Sequence, residues 1–361
     1  MDKVRKEFPV TRKSIYANTA VYGPLYDSLI DWRQEHDLDF LLQGSEMREK
    51  SLRILSDTRQ TVGQFFNCKK ENVALVNNFS TGINVLLEGL APKKKVLLLE
   101  NDYPSVNWSF ENRDFDITVI KLSSAVEEEI EAVIASKNIE VFALSIVQWL
   151  NGFFIDLGFI KKLKATYPNL IIIADGTQFC GSRTFDFSAS GIDVLGASAY
   201  KWLLAGYGNG FMLFSDQVQE VFSLSTIGFN AANGDFDKKD AIRFAKKFEP
   251  GHLSCLNFGS LKFSMDYMQR IGMNKITEHN TLLSEKAKRE FTALGLLEDS
   301  IVSRKNHSTI FNIKAKDKVF AKLLDNDVLC AQRGDGIRLS FHFYNTEKEI
   351  DAIVGILKTA L

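Results

Sequence analysis

Short apolar runs alternate with segments of helical spacing through the middle of the chain. Seven such runs have the character of buried strands, at positions 73–76, 96–99, 117–120, 141–147, 170–174, 194–197 and 211–214. Between them, apolar residues recur at helical spacing over 80–90, 126–135 and 157–167. Because strands and helices alternate, the pattern predicts an α/β fold in which helices cover both faces of a mostly parallel, seven-stranded sheet.

The pattern changes after about residue 260. Helices are predicted over 261–271 and 275–294, strands over 308–313 and 337–341, and a closing helix over 346–361. Thr346 and Glu349 form a capping box that predicts the start of this last helix. The mixture indicates a smaller α+β domain at the C-terminal end.

Composition and charge narrow the class of protein. The 361 residues include 44 Lys and Arg against 45 Asp and Glu, and 45% are hydrophobic. These are ordinary globular proportions, which exclude a disordered or fibrous chain and allow two or three domains. A net charge of −1 argues against a nucleic-acid-binding protein, since those usually carry a basic excess.

Targeting and metal signals are not found in the sequence. The charged N-terminus does not resemble a signal peptide, and no apolar run approaches the roughly 20 residues that cross a bilayer. The four cysteines are scattered and the five histidines lack ligand spacing. We therefore expect a cytoplasmic protein without a membrane segment or a metal site.

Candidate chemistry lies after the predicted strands, because open parallel sheets bind ligands at the carboxyl ends of their strands. The first candidate is the segment 77–82, Asn-Asn-Phe-Ser-Thr-Gly, between a strand and a helix. A helix start with hydroxyl side chains makes an anion site. The alternative is a simple N-cap.

A carboxylate and a lysine follow two later strands. Asp175 stands directly after the apolar run at 170–174, where an unpaired charge is costly and a cationic partner is expected. Lys201 follows the run at 194–197, with Ser198 three residues before it. A partly desolvated lysine has a lowered pKa and forms Schiff bases. A turn-capping aspartate and a surface lysine are the alternatives.

Together the three candidates predict a site for pyridoxal phosphate. The helix start suits the phosphate, the carboxylate suits the protonated pyridine nitrogen, and the lysine suits the aldehyde. A nicotinamide enzyme is disfavoured because the first strands lack a GxGxxG turn.

On these motifs the chain resembles the class V aminotransferases, a family of fold type I pyridoxal-phosphate enzymes. The resemblance runs from SIYANTAVYGP (14–24) through Asp-Gly-Thr-Gln (175–178), Lys201 and FEPGH (248–252) to IRLSFHFYNTEKEID (337–351). The last two segments resemble the isopenicillin N epimerase-like and uncharacterised branch more closely than they resemble the classical cysteine desulfurases. The resemblance implies a large cofactor domain over 15–270 and a small domain over 1–14 and 271–361.

The resemblance implies catalytic and cofactor-binding roles residue by residue. Lys201 would carry the Schiff base, Asp175 would pair with the pyridine nitrogen and Gln178 would bond the phenolic oxygen. The remaining cofactor contacts would be phosphate ligands and a ring-stacking residue: Ser80, Thr81, Ser198 and Tyr200 for the phosphate and Tyr103 for the ring.

The resemblance also implies substrate and partner contacts. Arg338 would hold the substrate carboxylate, a task that suits a bidentate donor. His342 lies four residues later on a predicted strand, so alternation places it on the same face and makes it a candidate substrate contact. Gly251 and His252 match the segment that reaches the partner's phosphate in the family's homodimers, whose active sites are shared.

Two positions depart from the family. Tyr200 stands where a histidine usually precedes the lysine. Cys330 lies only eight positions before Arg338 in an apolar, strand-like stretch, whereas desulfurases carry their sulfur-handling cysteine on a mobile loop further upstream. A buried structural cysteine is the favoured interpretation.

The expected function is therefore that of a pyridoxal-phosphate enzyme acting on a small α-amino acid. Transamination and desulfurase- or selenocysteine lyase-like β-elimination rank nearly level, and epimerisation stays open. A degenerate cofactor-binding scaffold is the non-enzyme alternative, against which Lys201, Asp175 and Arg338 argue.

Overall fold

A computed structural model describes residues 1–360 of the chain. Its α-helices are α1 (Asp2–Arg5), α2 (Asp27–Gln43), α3 (Met47–Phe66), α4 (Phe79–Glu88), α5 (Pro104–Glu111), α6 (Val126–Lys137), α7 (Leu157–Thr166), α8 (Cys255–Ile271), α9 (Met273–Ala293), α10 (Asp299–Val302), α11 (Asp317–Asp325) and α12 (Glu347–Ala360). Its strands are β1 (Ile15–Tyr16), β2 (Val73–Val76), β3 (Lys95–Leu99), β4 (Asp116–Ile120), β5 (Val141–Ser145), β6 (Ile171–Asp175), β7 (Val194–Ser198), β8 (Gly210–Phe214), β9 (Ile310–Ile313), β10 (Val328–Leu329), β11 (Ala331–Arg333) and β12 (Gly336–Ser340). Short 3₁₀ helices cover Pro9–Arg12, Gly44–Glu46, Lys70–Asn72, Gln217–Val221, Phe236–Ala241 and Phe244–Phe248.

The central sheet has seven strands in the order β2-β8-β7-β6-β5-β3-β4. All neighbours pair in parallel except β8, which is antiparallel to both β2 and β7. The predicted α/β fold with a mostly parallel seven-stranded sheet is confirmed.

The inner strands are almost wholly apolar because both faces of the sheet are covered, whereas the edge strand β4 contains Asp116 and Thr118 and is partly exposed. Successive residues of β3 alternate between two buried clusters: Leu97 and Leu99 join one, and Val96 and Leu98 join the other. Each cluster is closed by helices, so an exposed face that would need polar alternation does not arise. The carboxyl ends of β3, β5, β6 and β7 consequently share one edge.

A second, three-stranded antiparallel sheet lies in the C-terminal part, in the order β11-β12-β9. The N-terminus joins this part, since β1 pairs in parallel with β10 and Arg5 forms a 2.7 Å ion pair with Glu349. The division of the chain at residues 15 and 270 stays a prediction.

The predicted capping box begins α12. The Thr346 amide donates to Glu349 Oε2 at 2.8 Å, and the Glu349 amide donates to Thr346 Oγ1 at 3.3 Å. The predicted helix extended to Leu361, which lies outside the described residues.

The N-terminal helices α2 and α3 were not predicted. In α2, Leu38, Leu41 and Leu42 are 53%, 79% and 74% exposed, so apolar residues lie on its outer side as well as its inner side. This leaves no single apolar stripe for periodicity to detect. The predicted strand 141–147 is also shorter in the structure and ends at Ser145.

The cap of α12 yields a stability prediction. Glu349 is 7% exposed and joins the capping box to Arg5 and Asn345. Glu349→Ala removes the cap and leaves the half-buried Arg5 without its carboxylate, so we expect a loss of about 2 kcal/mol in the free energy of unfolding. Urea unfolding measures this loss. Glu347→Ala, at an exposed neighbouring position, is the control and should change stability by less than about 0.5 kcal/mol; equal effects of the two variants would contradict the assignment.

Candidate active site

Asp175 and Lys201 come together at the carboxyl edge of the central sheet. Asp175 is the last residue of β6, and Lys201 follows β7 by three residues. The two strands are parallel neighbours, with Asp175 paired to Gly196. Each of the two charged residues is only 5% exposed.

Asp175 is held by the turn that follows it. Its Oδ1 accepts a hydrogen bond of 2.7 Å from the Thr177 amide. Burial raises the pKa of the Asp175 carboxyl above its usual range, while the hydrogen bonds from Thr177 and the charge of Lys201 act in the opposite direction. A buried carboxylate of this kind is stabilised further by any cation placed against it.

Lys201 lies among aromatic rings. Its Nζ is 5.5 Å from the ring centroid of Tyr103 and 5.5 Å from that of Tyr200. Burial lowers the pKa of the Lys201 amine; the charge of Asp175 opposes this effect and that of Arg338 adds to it. A lysine in such surroundings has a neutral, nucleophilic amine closer to physiological pH than a solvated lysine does.

Backbone packing fixes the position of Lys201. The Gly23 amide donates to the Tyr200 carbonyl at 2.9 Å. A Cβ at Gly23 would lie 1.9 Å from the Lys201 carbonyl oxygen, so only glycine allows this approach. Sequence reasoning quoted Gly23 within a motif and did not identify its role.

Three of the four predicted phosphate ligands, Ser80, Thr81 and Ser198, gather around the first turn of α4. Ser198 Oγ accepts from the Phe79 amide at 2.9 Å, and Ser80 Oγ lies 2.6 Å from Ser105 Oγ. Asn78 caps the helix: its Oδ1 accepts from the Thr81 amide at 2.8 Å and from the Thr81 hydroxyl at 3.1 Å. The N-cap interpretation is therefore correct. Hydroxyl groups lie at the same helix start, and the anion site stays a prediction.

Gln178 is oriented by two neighbours. Its Oε1 accepts from Trp202 Nε1 at 2.8 Å, and its Nε2 donates to the Ala20 carbonyl at 3.0 Å. One amide hydrogen is left for the phenolic oxygen that the resemblance assigns to it. Tyr200 lies beside Tyr22 and Tyr207, with ring centroids 6.2 and 4.7 Å away.

Arg338 faces the same site from β12. It is 3% exposed, its Nη1 donates to the Trp149 carbonyl at 2.5 Å, and its buried Nε lacks a partner among residues 1–360. Burial lowers the pKa of Arg338 to about 10. A buried guanidinium with an unused donor fits a carboxylate ligand. Trp149 also meets Tyr103 edge to face at 6.1 Å, so Trp149 belongs to the site.

These residues fit pyridoxal phosphate. The site offers a buried lysine, a buried carboxylate, a hydroxyl-rich helix start and a guanidinium with an unpaired donor, which match an aldehyde, a pyridinium, a phosphate and a substrate carboxylate respectively. When bound, the cofactor supplies an electron sink next to the amino-acid α-carbon.

Asp102 is a second buried carboxylate at this edge that sequence reasoning missed. It is 4% exposed, and it accepts from the Ser145 amide at 2.7 Å and the Tyr103 amide at 2.6 Å. Burial raises its pKa. Its position three residues after β3 carries the same strand-end signal as Asp175. Asn151, in the turn after β5, donates to Glu298 at 3.4 Å.

His342 is not placed as expected. The strand β12 ends at Ser340, so alternation with Arg338 does not reach it. The side chain is fully buried; Nε2 donates to the Trp202 carbonyl at 2.9 Å, and Nδ1 lies 3.2 Å from the Asn280 amide nitrogen. The candidate substrate contact is therefore corrected to a structural role behind Trp202.

Gly251 and His252 do not join Lys201 within one chain. Both are exposed, and His252 lines a cavity of about 720 Å³ together with His36, Arg48, Arg59 and Phe229. Among the described residues 1–360, neither Asp175, Lys201 nor Arg338 lines this cavity. The expected contact of Gly251 and His252 with a partner's phosphate stays a prediction.

Comparison with known proteins defines the class and then the family. C-DES, a cystine C-S lyase, has the same fold: its complex with cysteine persulfide has a TM-score of 0.85 at 19% identity, covering 97% of this chain and 98% of that one. A C-DES variant with glycine covalently linked to its pyridoxal-phosphate cofactor has a TM-score of 0.86 at 19% identity, with 98% of both chains covered. The fold is that of the fold type I pyridoxal-phosphate enzymes.

The family model for class-V aminotransferases matches residues 41–353, and the chain belongs to this family. A probable cysteine desulfurase of Methanothermobacter thermautotrophicus is 24% identical over 98% of this chain and 96% of its own length. The isopenicillin N epimerase of Amycolatopsis lactamdurans is 23% identical over 84% of each chain. The protein is a pyridoxal-phosphate-dependent enzyme acting on amino acids. Within residues 1–360, none of the helices has the length and apolar character to cross a membrane.

The buried histidines yield a prediction of acid sensitivity. Burial lowers the pKa of His342 to about 3 and that of His307 to about 4, below the usual 6.5. Between pH 6.5 and these lowered pKa values, the unfolded chain binds protons that the folded chain does not. Stability therefore falls as the pH drops below 6.5.

The variant His342→Gln tests this effect by removing one of the two groups. We expect it to flatten the dependence of unfolding free energy on pH between 6 and 4 by up to about 1.4 kcal/mol per pH unit. Urea unfolding at a series of pH values measures the slope. A slope identical to that of the unsubstituted protein would show that His342 is not held neutral by the fold.

Proposed function

We propose that this enzyme is a β-lyase that breaks the bond between the β-carbon and sulfur of a small cysteine-type amino acid, without passing the sulfur to a protein cysteine. The observation that carries the proposal is the environment of Cys330. Cys330 is 8% exposed, and burial raises the pKa of its thiol to about 12. Sulfur acceptance needs an accessible thiolate, which this environment disfavours.

The local chain geometry supports the same proposal. Cys330 directly precedes β11, whose last residue, Arg333, pairs with Gly336 of β12. Only Gly334 and Asp335 connect the two strands. A hairpin this tight offers no long loop that could carry a cysteine to the substrate.

The other three cysteines are no better suited to accept sulfur from the substrate. Burial raises the pKa of Cys180 well above its usual range and that of Cys68 to about 11. Cys255 lines the separate cavity that contains His252. All four cysteines are free, which supports the proposed cytoplasmic location.

The side chains of the site have distinct tasks in this reaction. Arg338 binds the α-carboxylate, Asp175 keeps the pyridine nitrogen protonated and Lys201 takes the α-proton as a neutral amine. The carbon–sulfur bond then breaks with its electron pair on the sulfur, which leaves as an anion and is neutralised by the proton that Lys201 took from the α-carbon. Water completes the release of the remaining carbon skeleton as pyruvate and ammonium.

Product analysis tests the proposed β-lyase. We expect the holoenzyme to release pyruvate and ammonium from cysteine or cystine in equal amounts. Cys330→Ser should keep at least half of the rate because its thiol takes no part, and Cys68→Ser is the matched control. Lys201→Ala should lose both activity and the covalently linked yellow chromophore.

Three results would overturn the proposed β-lyase. Alanine as product together with a large loss in Cys330→Ser would indicate a persulfide desulfurase. Accumulation of the amine form of the cofactor would indicate a transaminase. Inversion of the α-carbon without release of sulfur would indicate an epimerase.

We further propose a homodimer with shared active sites. Supporting it, large apolar side chains are exposed near the cavity that His252 lines: Phe40 and Phe229 line it, and Leu41 and Leu42 follow Phe40 on α2. Exposed apolar groups concentrated in this way mark interaction surfaces.

Light scattering during gel filtration tests the dimer. We expect about twice the chain mass of 40.7 kDa, and a Leu41→Glu, Leu42→Glu double variant should shift toward the monomer and bind pyridoxal phosphate more weakly. Val119→Glu, at another exposed apolar position, is the control. A monomeric mass for the unsubstituted holoenzyme would refute the proposal.

A further inference from the structure

Two arginines share one face of the three-stranded sheet. In the β11–β12 pair, Ala331 is opposite Arg338 and Arg333 is opposite Gly336. Opposite residues of an antiparallel pair point to the same face, so Arg333 and Arg338 are diagonal neighbours on that face, about 7–8 Å apart along the backbone. Since Arg338 faces Lys201, Arg333 lies at the side of the same site.

The backbone at Arg333 is fixed. Asn312, opposite Arg338 on β9, donates from its side-chain amide to the Arg333 carbonyl at 2.9 Å. The turn that follows contains Gly334 at a φ of +55°, and a Cβ there would meet the Leu150 side chain at 3.3 Å. The strand position that carries the Arg333 guanidinium is therefore rigid beside the site.

The charge of Arg333 is not neutralised within the chain. Its Nη1 donates to the Gln332 carbonyl at 2.8 Å, and over residues 1–360 it forms no ion pair with a carboxylate. Its field reaches the site: burial is the main cause of the lowered pKa of both Arg338 and Lys201, and the charge of Arg333 lowers each further.

Of the two arginines on this face, only Arg333 is left without an anionic partner. The substrate α-carboxylate neutralises Arg338, and Asp175 pairs with the cofactor. Arg333 has no counterpart in a substrate with an uncharged side chain. A substrate with a second anionic group would supply it.

We propose that Arg333 is a specificity-determining residue that selects α-amino acids whose side chain ends in an anionic group. The inference rests on the proposed function, because it places the substrate carboxylate on Arg338. For a carbon–sulfur lyase the matching substrates are cysteine derivatives with a negative charge on the sulfur substituent, such as an S-sulfonate, whose β-carbon–sulfur bond breaks with its electron pair on the sulfur so that thiosulfate leaves. The leaving sulfur would then carry its anion against Arg333.

Equilibrium binding to the pyridoxal-phosphate-loaded protein tests this selection without any reaction. Succinate and butyrate have the same carbon skeleton and differ by one carboxylate, and isothermal titration calorimetry measures both. We expect succinate to bind about tenfold more tightly, as one charged hydrogen bond at a partly exposed site provides. The preference should shrink as salt is raised.

Substitutions assign the preference to Arg333. Arg333→Gln should weaken succinate about tenfold and leave butyrate unchanged, while Arg333→Lys should keep most of the preference. Lys318→Gln, which removes an exposed cation on α11, is the matched control and should behave like the unsubstituted protein.

Equal affinity for the two ligands in the unsubstituted protein would overturn the inference, as would a preference that survives in Arg333→Gln or no measurable binding of either ligand. Because neither ligand reacts, a preference for succinate stands even if the product analysis rejects the β-lyase. The two proposals therefore fail separately.

Discussion

The burial of two opposite charges at one sheet edge is the constraint on which the site depends. Asp175 and Lys201 are both almost fully enclosed, and burying either charge alone would be strongly unfavourable. Burial shifts their pKa values toward each other, raising that of Asp175 and lowering that of Lys201. The fold therefore places a carboxylate that a further cation would stabilise next to an amine that loses its proton readily. Pyridoxal-phosphate chemistry requires both groups.

A chain of packing contacts fixes this pair in place. Gly23 packs against the Lys201 carbonyl, and Trp202, the next residue, bonds to Gln178 and to His342. His342 belongs to the C-terminal part of the protein, just after β12. These contacts therefore link the small sheet to Trp202, the residue after Lys201. The same small sheet carries Arg338 and Arg333, so these contacts couple the position of both arginines to that of Lys201.

Much of this was available from the sequence because buried parallel strands leave a strong signal. All seven strands of the central sheet were identified by their apolar runs, and the polar residues after them included Asp175, Ser198 and Lys201. The capping box of α12 was predicted for a similar reason, since its two partners are only three residues apart. The helix α2 was missed because its exposed leucines blur the periodicity, and α3 was missed although its apolar residues form a buried stripe. Asp102 carried the same strand-end signal and was overlooked.

By itself, the sequence determined the seven central strands, several of the chemical groups at their ends and the family, because these depend on local periodicity and on residue identity at fixed spacing. Tertiary structure alone decided which of those groups are buried, which are already bonded and which remain open. The tertiary structure buries His342 behind Trp202, encloses Cys330 and places Arg333 beside Arg338. Those outcomes depend on the register between strands and on desolvation by residues far away in the chain, and neither is encoded in a short stretch of sequence.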